Sequence, residues 1–216
     1  MATGGKPARD VVLASASPAR LQLLRNAGLT PWVITSDVDE DAVADKSSWS
    51  DVEELVALLA QAKAVDVADR LRAEAAESAT SGPIVIGCDS LLHWQSEILG
   101  KPADAQAATR RLKRMAGTSG VLMTGHTVID LDSEQTLSAV DATVVHFSPM
   151  SAAEIAAYVA TGEPINVAGS FTLDGLSSPF IERIEGDPSN VIGLSLPLLR
   201  RMLAELGVPW LDVVSY

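Results

Sequence analysis

The sequence predicts an α/β fold in which helices cover both faces of a mixed central sheet. Two observations support this prediction. Strand and helix patterns alternate through the first half of the chain, and two long strand patterns follow each other at about 120–130 and 137–147. The chain has 216 residues, 47% of them hydrophobic, so it can bury a substantial core as one large domain or two small ones.

The balance of charge argues against one class of partner. The formal net charge is −12, from 28 acidic and 16 basic residues, which opposes binding to the polyanionic backbone of DNA or RNA. We therefore expect no stable nucleic-acid binding, although a small anion can still bind where cationic side chains or a carboxylate-held metal gather. The apolar runs are too short to cross a bilayer and the chain starts without a signal pattern, which predicts a cytoplasmic protein without membrane contact.

The first structured segment has the pattern of an anion site. The apolar run Val11–Ala14 predicts a strand, and Ser17 followed by Pro18 predicts the cap and first position of a helix of about ten residues. A phosphate can bind there to three kinds of group: the backbone N–H groups at the start of the helix, the hydroxyls of Ser15 and Ser17, and the guanidinium of Arg20. The alternative is an ordinary capped helix behind an edge strand.

An acidic segment and a long helix follow. A predicted strand at 31–35 leads into carboxylates at 37–41, which by themselves are typical of a solvated loop. Residues 50–53 have the spacing of a capping box, with an Ala-rich helix predicted to about residue 76. Lys63 lies in that helix, where an exposed lysine is the more common role. The predicted buried face of this helix comprises Leu55, Leu58, Leu59, Ala62 and Val65.

The middle of the chain supplies an acid and a lysine. Residues 83–88 predict a buried strand that ends in the core residue Cys88 and delivers Asp89 at its C-terminal end, where α/β folds place ligands. We favour a functional role for Asp89 over a structural hydrogen-bond acceptor, because an unused buried acid is costly. One acid of 37–41 could join it around Mg²⁺. Lys101, between a glycine and a proline, is a candidate phosphate contact.

The remaining pattern completes the predicted architecture. Its elements are a linker at 77–83, a hairpin at 91–99, a helix at 104–116, a capping box at 151–154 with a helix to about 161, an irregular segment at 162–193 with two or three short strands, and a last helix at 195–206.

Several well-known catalytic motifs are absent from the sequence. It contains no Walker loop, Rossmann glycine pattern or Cys-x-x-Cys, and His93, His126 and His146 are scattered along it. Gly193-Leu194-Ser195-Leu196-Pro197 lacks the second glycine of a nucleophile elbow, so a covalent serine mechanism has no support. The chemistry that remains is metal-assisted attack on a phosphate.

Several short motifs follow one another in order over nearly the whole chain, at residues 13–24, 38–40, 59–64, 87–90, 98–102, 162–164, 168–169, 185–186 and 189–194. This ordered set resembles the Maf family of nucleoside triphosphate pyrophosphatases, which are related in fold to the inosine-triphosphatase enzymes.

The resemblance implies a single domain over 1–216, elongated, with two lobes and a cleft. It implies hydrolysis of a nucleoside triphosphate to the monophosphate and pyrophosphate with Mg²⁺ or Mn²⁺, and possible homodimers. Asp89 would accept the proton of the attacking water, and Glu40 with Asp89 would hold the metal. The residues that would bind the triphosphate are Ser15, Ser17, Arg20, Lys63 and Lys101.

Three positions resemble the set that separates subfamilies by base. They are Ala19, Ser90 and Asp174, and they match neither the set typical of dTTP and UTP hydrolysis nor that of 7-methyl-GTP hydrolysis. Asp174 leans towards the second set, because a carboxylate can accept from a guanine edge or offset a cationic base. The base preference therefore stays open between canonical and modified nucleotides.

The departure at Ala19 motivates an alternative function. The family usually has two arginines after its Ser-Pro, whereas this sequence has Ala19 at the first of these positions and Arg20 at the second. The alternative is a catalytically weak, nucleotide-binding regulator of septum formation and cell division, processes to which the family is linked. A nucleic-acid-binding division factor is a third hypothesis, which the net charge of −12 disfavours.

Overall fold

The computed structural model describes residues 9–75 and 82–214. The strands within them are β1 (Val11–Ala14), β2 (Trp32–Val33), β3 (Ile84–Trp94), β4 (Glu97–Leu99), β5 (Ser119–Asp130), β6 (Gln135–Phe147) and β7 (Ile181–Glu185). The helices within them are α1 (Pro18–Asn26), α2 (Glu40–Lys46), α3 (Val52–Ala75), α4 (Ala105–Met115), α5 (Ala152–Ala160), α6 (Pro188–Ile192) and α7 (Leu196–Glu205).

The strands form one mixed sheet in the order β2-β1-β3-β5-β6-β7, with β4 paired to β3. Strand β1 runs parallel to both of its neighbours, with Leu13 opposite Val33 on one side and Ile86 on the other. The pairs β3–β4 and β6–β7 are antiparallel. The predicted mixed sheet with flanking helices is therefore confirmed. Among the described helices, none has the length and apolar character needed to span a membrane.

The chain divides into two compact units, which we describe separately. The first contains the described residues of Met1–Asp89, Gly125–Val140 and Leu196–Tyr216, and the second contains Ser90–Thr124 and Asp141–Ser195. A core cluster of the first unit comprises Val12, Ala14, Ala64, Val67, Ala68, Val85 and Ile129. A core cluster of the second comprises Leu92, Trp94, Leu99, Met115, Leu122, Val145, Phe147, Phe171 and Val191. The single domain, the elongated shape and the cleft stay predictions.

The predicted helix starts are mostly confirmed, because they depend on local chemistry. Ser17 caps α1 by accepting from the backbone N–H of Arg20, with Pro18 at the first helical position. Asp104 caps α4 in the same way. The side chains of Ser151 and Glu154 form the full capping box of α5. In each case an oxygen satisfies an N–H that the helix itself leaves without a partner.

The predicted cap of the long helix is wrong by one residue. Asp51 accepts from the backbone N–H of Glu54 at 3.0 Å, and Glu54 accepts from the backbone N–H of Ser50 at 2.7 Å, so Glu53 takes no part in the box. The acidic segment also contains a helix that the pattern did not predict. Asp39 caps α2 by accepting from the N–H of Ala42.

The buried face of α3 differs from the predicted one. Leu55 and Leu59 of the predicted face are buried, but Val65 is 38% exposed. The buried face also includes Val56, Ala60, Lys63 and Ala64, which the prediction left out. The irregular segment at 162–193 also differs, since it contains one strand, β7, three short 3-10 turns and α6 instead of two or three strands. The predicted linker at 77–83 lies outside the described residues except for its last two positions.

A glycine explains which face of α3 is buried. A Cβ on Gly87 of β3 would lie 2.5 Å from the carbonyl oxygen of Ala60 and 2.8 Å from the Cβ of Ala64. The helix backbone therefore rests directly on the strand, at a distance that only glycine permits. Because side chains at i and i+2 of a strand share a face, Asp89 points to the same side of β3 as Gly87, towards α3.

Candidate active site

Lys63 and Asp89 form a buried ion pair in the first unit. The ammonium Nζ of Lys63 lies 2.5 Å from Oδ1 of Asp89 and 2.7 Å from Oε1 of Glu40. Lys63 is 8% exposed and Asp89 6%, whereas the side chain of Glu40 is 55% exposed. One lysine thus holds two carboxylates, one in the core and one at the surface, and its ammonium has a third N–H to offer.

The surroundings of Asp89 make it a stronger base than a solvated aspartate. Burial raises the pKa of Asp89, while the charges of Lys63 and Arg20 oppose that rise. Glu40 adds a smaller effect that also raises this pKa. A carboxylate with a raised pKa accepts a proton more readily, which is the property that general-base catalysis at neutral pH requires.

Asp89 does not end its strand, as the sequence pattern had suggested. Strand β3 continues through Ser90 to Trp94, because Leu92, His93 and Trp94 pair with β4. The register pairing β1 with β3 ends at Ala14 and Gly87. Asp89 therefore lies just beyond the end of the β1–β3 pairing, at the point where the chain passes from the first unit into the second.

The first turn after β1 brings two hydroxyls and a guanidinium together. Nη1 of Arg20 donates to Oγ of Ser15 at 3.1 Å, and the backbone N–H of Ser17 donates to the same oxygen at 3.2 Å. Arg20 is 9% exposed and Ser15 7%. The positive charge of Arg20 partly offsets the rise in the pKa of Asp89, so this turn acts on the same carboxylate as Lys63. The structure thus gathers five of the predicted residues with Glu40 in one unit: Ser15, Ser17, Arg20, Lys63 and Asp89.

Lys101 belongs to the second unit and is exposed. Its turn is held by Arg111 of α4, whose Nη1 donates to the carbonyl oxygen of Gly100 at 2.6 Å and to Oγ of Ser170 at 3.3 Å. The backbone N–H of Gly169 donates to the same carbonyl at 3.2 Å. The sequence pattern did not single out Arg111, since its role depends on contacts with residues far along the chain. A single crevice shared by Lys101 and Asp89 stays a prediction.

The three predicted specificity positions lie on different elements. Ala19 is in the first turn of α1, and Ser90 shares a hydrogen bond of 2.9 Å between its Oγ and Oγ1 of Thr124. Asp174 is exposed in the second unit and accepts a short hydrogen bond from Oγ1 of Thr172. Their joint role in base selection stays a prediction.

The donor set around Lys63 fits a hard divalent cation. Within residues 9–75 and 82–214, no group of three or more histidine, cysteine or carboxylate side chains is arranged to hold a metal ion. Oδ1 of Asp89 and Oε1 of Glu40 already accept from Nζ of Lys63, so the oxygens that could bind a cation are Oδ2 of Asp89 and Oε2 of Glu40. Mg²⁺ is commonly bound by one or two carboxylates, with water and substrate phosphates as its other ligands, so the residues present suit that ion.

Comparison with known proteins identifies the family. The Maf-like protein family matches residues 10–206. A relative from Streptomyces coelicolor is 55% identical over 202 residues, which cover 94% of this chain and 93% of that protein. A relative from Salinispora tropica is 53% identical, covering 96% of this chain and 88% of that protein. Both relatives are named nucleoside triphosphate pyrophosphatase.

A solved structure shows a weaker likeness. The Ham1 protein of Staphylococcus aureus matches with a TM-score of 0.33 and 14% sequence identity, over 65% of this chain and 72% of that chain. A likeness at this level supports no functional conclusion. The family match and the relatives, by contrast, extend over most of the chain, and the chain belongs to the Maf-like protein family.

Proposed function

We propose, from membership of the Maf-like family and from the charged cluster around Asp89, that this chain hydrolyses a nucleoside triphosphate to the monophosphate and pyrophosphate. The observation that carries the proposal is the buried pair of Lys63 and Asp89, with Glu40 on the same ammonium. Strand β3 pairs with β1 up to Ala14 and Gly87, where the hydroxyl-lined turn begins and two residues before Asp89. The positive charge of Arg20 in the first turn of α1 also acts on the carboxylate of Asp89, as expected for a base that lies near a cationic phosphate site.

Asp89 is the proposed general base. Its carboxylate takes a proton from a water molecule as the water oxygen forms a bond to the α-phosphorus and the bond from that phosphorus to the bridging oxygen breaks. The electron pair of the broken bond leaves with pyrophosphate. The raised pKa of Asp89 suits this step, because a base whose pKa is closer to the working pH takes the proton more readily.

Ser15, Ser17, Arg20, Lys63 and Lys101 are the proposed triphosphate ligands. The guanidinium of Arg20 is already oriented by Oγ of Ser15, so binding a phosphate costs little reordering of the side chain. Cationic groups fixed before the reaction stabilise the charge that develops on the phosphate oxygens. The third N–H of Lys63 can serve a phosphate oxygen while the other two remain on Asp89 and Glu40.

Asp89 and Glu40 are the residues proposed to hold the divalent cation, Mg²⁺ or Mn²⁺. Such an ion supplies positive charge to the phosphate oxygens. Its ligand set here consists of oxygen atoms, which both ions accept.

The proposed partner is the nucleotide. The formal net charge of −12 opposes a stable complex with nucleic acid. We propose the cytoplasm as the location, because nucleoside triphosphates are made and used there. The base preference is proposed to depend on Ala19, Ser90 and Asp174, with canonical and modified nucleotides both as candidates.

The test is release of pyrophosphate from a panel of dTTP, UTP, CTP and 7-methyl-GTP, with Mg²⁺ or Mn²⁺ present or chelated. We expect release that needs the metal and falls by about 10²–10⁴-fold in Asp89→Asn, the usual effect of removing a general base. Asp69→Asn, at an exposed acid of α3, is the matched control and should keep full activity. Thermal unfolding reports whether each variant is folded. A folded Asp89→Asn protein with full activity would refute the assigned base.

The same nucleotides, tested for binding as well as for pyrophosphate release, distinguish the enzyme from the alternative, a nucleotide-binding regulator. If calorimetry shows tight triphosphate binding while no pyrophosphate forms over hours, the chain is a nucleotide-binding regulator without turnover. The replacement of an arginine by Ala19 is the feature that favours this second candidate.

A further inference from the structure

The loop that carries Asp174 is closed by its own hydrogen bonds. The backbone N–H of Thr172 donates to Oγ of Ser177 at 2.8 Å, and that hydroxyl donates back to the carbonyl oxygen of Thr172 at 2.8 Å. We call residues 172–177 the Asp174 loop. Since Ser177 is only 3% exposed, this closure is shielded from water.

The carboxylate of Glu163, which lies outside the loop, holds the loop backbone by hydrogen bonds. Glu163 accepts from the backbone N–H of Leu176 through Oε2 at 2.9 Å and from that of Ser177 through Oε1 at 3.2 Å. The hydroxyl of Tyr158 donates to the same Oε1 at 2.9 Å. Two successive backbone N–H groups and a phenol thus share one charged acceptor, an arrangement that is stronger than neutral hydrogen bonds.

The contact between the loop and Glu163 leaves no space for a side chain. A Cβ on Gly175 would lie 2.5 Å from Oε2 of Glu163 and 2.6 Å from Cγ2 of Thr172. The loop backbone therefore packs directly against the carboxylate, and a shift of Glu163 displaces the residues on either side of Gly175, including Asp174.

Asp174 itself is oriented and retains a free acceptor. Oγ1 of Thr172 donates to its Oδ1. In the part of the chain that the structure describes, no hydrogen bond is made to its other oxygen, Oδ2, and the residue is exposed. An oriented carboxylate oxygen that faces solvent suits a base that presents N–H donors.

We propose that Glu163 is a positioning residue for base selection: it holds the Asp174 loop so that Asp174 accepts from the N–H donors of the nucleotide base. This inference rests on the proposed function, since Asp174 is one of the positions proposed there to select the base. Glu163 does not touch the substrate; it acts through Leu176, Ser177 and the backbone of Gly175.

The test compares selectivity in Glu163→Gln with the wild type. The amide keeps the size of the side chain but places an N–H₂ against backbone N–H groups, which loosens the loop. We expect the ratio of kcat/KM between the best and poorest of GTP, dTTP, UTP and CTP to fall by about tenfold. The inhibition constant of inorganic triphosphate, which has no base, should stay unchanged.

Two further variants make the test specific. Glu154→Gln is the matched control on α5, because Glu154 also accepts from a backbone N–H and a hydroxyl, both of which belong to Ser151 at the start of its own helix. It should leave the ratio unchanged. Tyr158→Phe removes one of the three donors to Glu163. It should lower the ratio by about threefold, a smaller effect because the two backbone hydrogen bonds to Glu163 remain. This variant carries the test if Glu163→Gln does not fold.

The possible outcomes separate the two proposals. An unchanged ratio, or an equal loss for all nucleotides, overturns the role of Glu163 while leaving the proposed function standing. If the wild type hydrolyses no nucleotide, the proposed function fails. The ratio is then measured on dissociation constants from calorimetry, where the same fall in Glu163→Gln supports the role and an unchanged ratio refutes it.

Discussion

The two units place their candidate residues by different means. In the first unit, buried charges contact one another directly: Lys63 bridges Asp89 and Glu40, and Arg20 acts on the same carboxylate. In the second unit, charged side chains form hydrogen bonds with backbone groups of the loops. Arg111 donates to the carbonyl oxygen of Gly100, and Glu163 accepts from two backbone N–H groups.

This difference suggests a division of labour. A cluster of buried charges tunes the proton affinity of a base and stabilises developing charge, which is what the chemical step needs. A backbone held from outside keeps a loop in one shape, which is what the proposed phosphate contact of Lys101 and the proposed base discrimination by Asp174 both need. Substitutions at single residues of either unit can test this division.

The strongest challenge is removal of the charge at Lys63. Lys63→Met should lower kcat/KM by about hundredfold or more for every nucleotide, because the proposed role of Lys63 is to place a preorganised cation at the reacting phosphates. Pyrophosphate release measures this effect, and Lys46→Met at the exposed end of α2 is the control. Thermal unfolding should also show destabilisation, since Asp89 is left buried without its partner. Unchanged kinetics in a folded variant would remove Lys63 from the site.

The second unit can be probed through the turn of Lys101. Arg111→Met should raise KM and the inhibition constant of inorganic triphosphate by about tenfold, because the hydrogen bond that fixes the Gly100 carbonyl is lost. The neighbouring exposed Arg110→Met is the control. If the inhibition constant is unchanged while KM rises for one base only, the turn contributes to base selection and not to phosphate binding, and Lys101 leaves the proposed set of triphosphate ligands.

The helix caps and the burial of Lys63 show which features the sequence alone can and cannot predict. The caps of α1, α4 and α5 were predictable because each depends on residues within four positions. The burial of Lys63 was not, because it depends on Gly87 of a different element drawing α3 onto β3.

The position of Asp89 within its strand has a similar explanation. The apolar run stops at Cys88, so the local pattern predicts a strand end there. Pairing of residues 92–94 with β4 extends the strand through the acid. Helix α2 was missed because carboxylates are typical of loops, although Asp39 is also a good cap. The family motifs pointed to the site residues, while Arg111 became visible only through long-range contacts.

The ion pair of Arg9 and Asp130 in the first unit, with 2.5 Å between Nη2 and Oδ1, provides a smaller effect to compare with that of the proposed catalytic pair. Burial tends to raise the pKa of Asp130, but hydrogen bonds from Arg9, the N–H of Asp132 and Ser133 outweigh it, so the pKa is lowered. Because the folded value lies below the unfolded value, the pair stabilises the fold above the unfolded pKa. That contribution is lost as the pH falls through the folded pKa.

Asp130→Asn should therefore lower the free energy of unfolding by about 2 kcal/mol at neutral pH and by progressively less in acid. Urea unfolding followed at several pH values measures this difference, and kcat in the folded state should not change. A difference that is independent of pH would mean that Asp130 stabilises the fold by packing and not by charge.

The smallest expected effect concerns the cysteine beside the proposed base. Cys88 is fully buried, and burial raises the pKa of its thiol to about 11. Treatment of the folded protein with iodoacetamide at pH 8 should leave mass and activity unchanged, whereas the protein in guanidinium should gain one adduct. Rapid modification of the native protein would show that the core around Asp89 opens.

The most direct test of the division is the ratio of kcat/KM between the best and poorest nucleotides, measured side by side in Lys63→Met and Asp174→Asn. The account predicts that Lys63→Met lowers kcat/KM for every nucleotide by the same factor and leaves the ratio intact, while Asp174→Asn changes the ratio. A ratio that changes as much in Lys63→Met as in Asp174→Asn would contradict it.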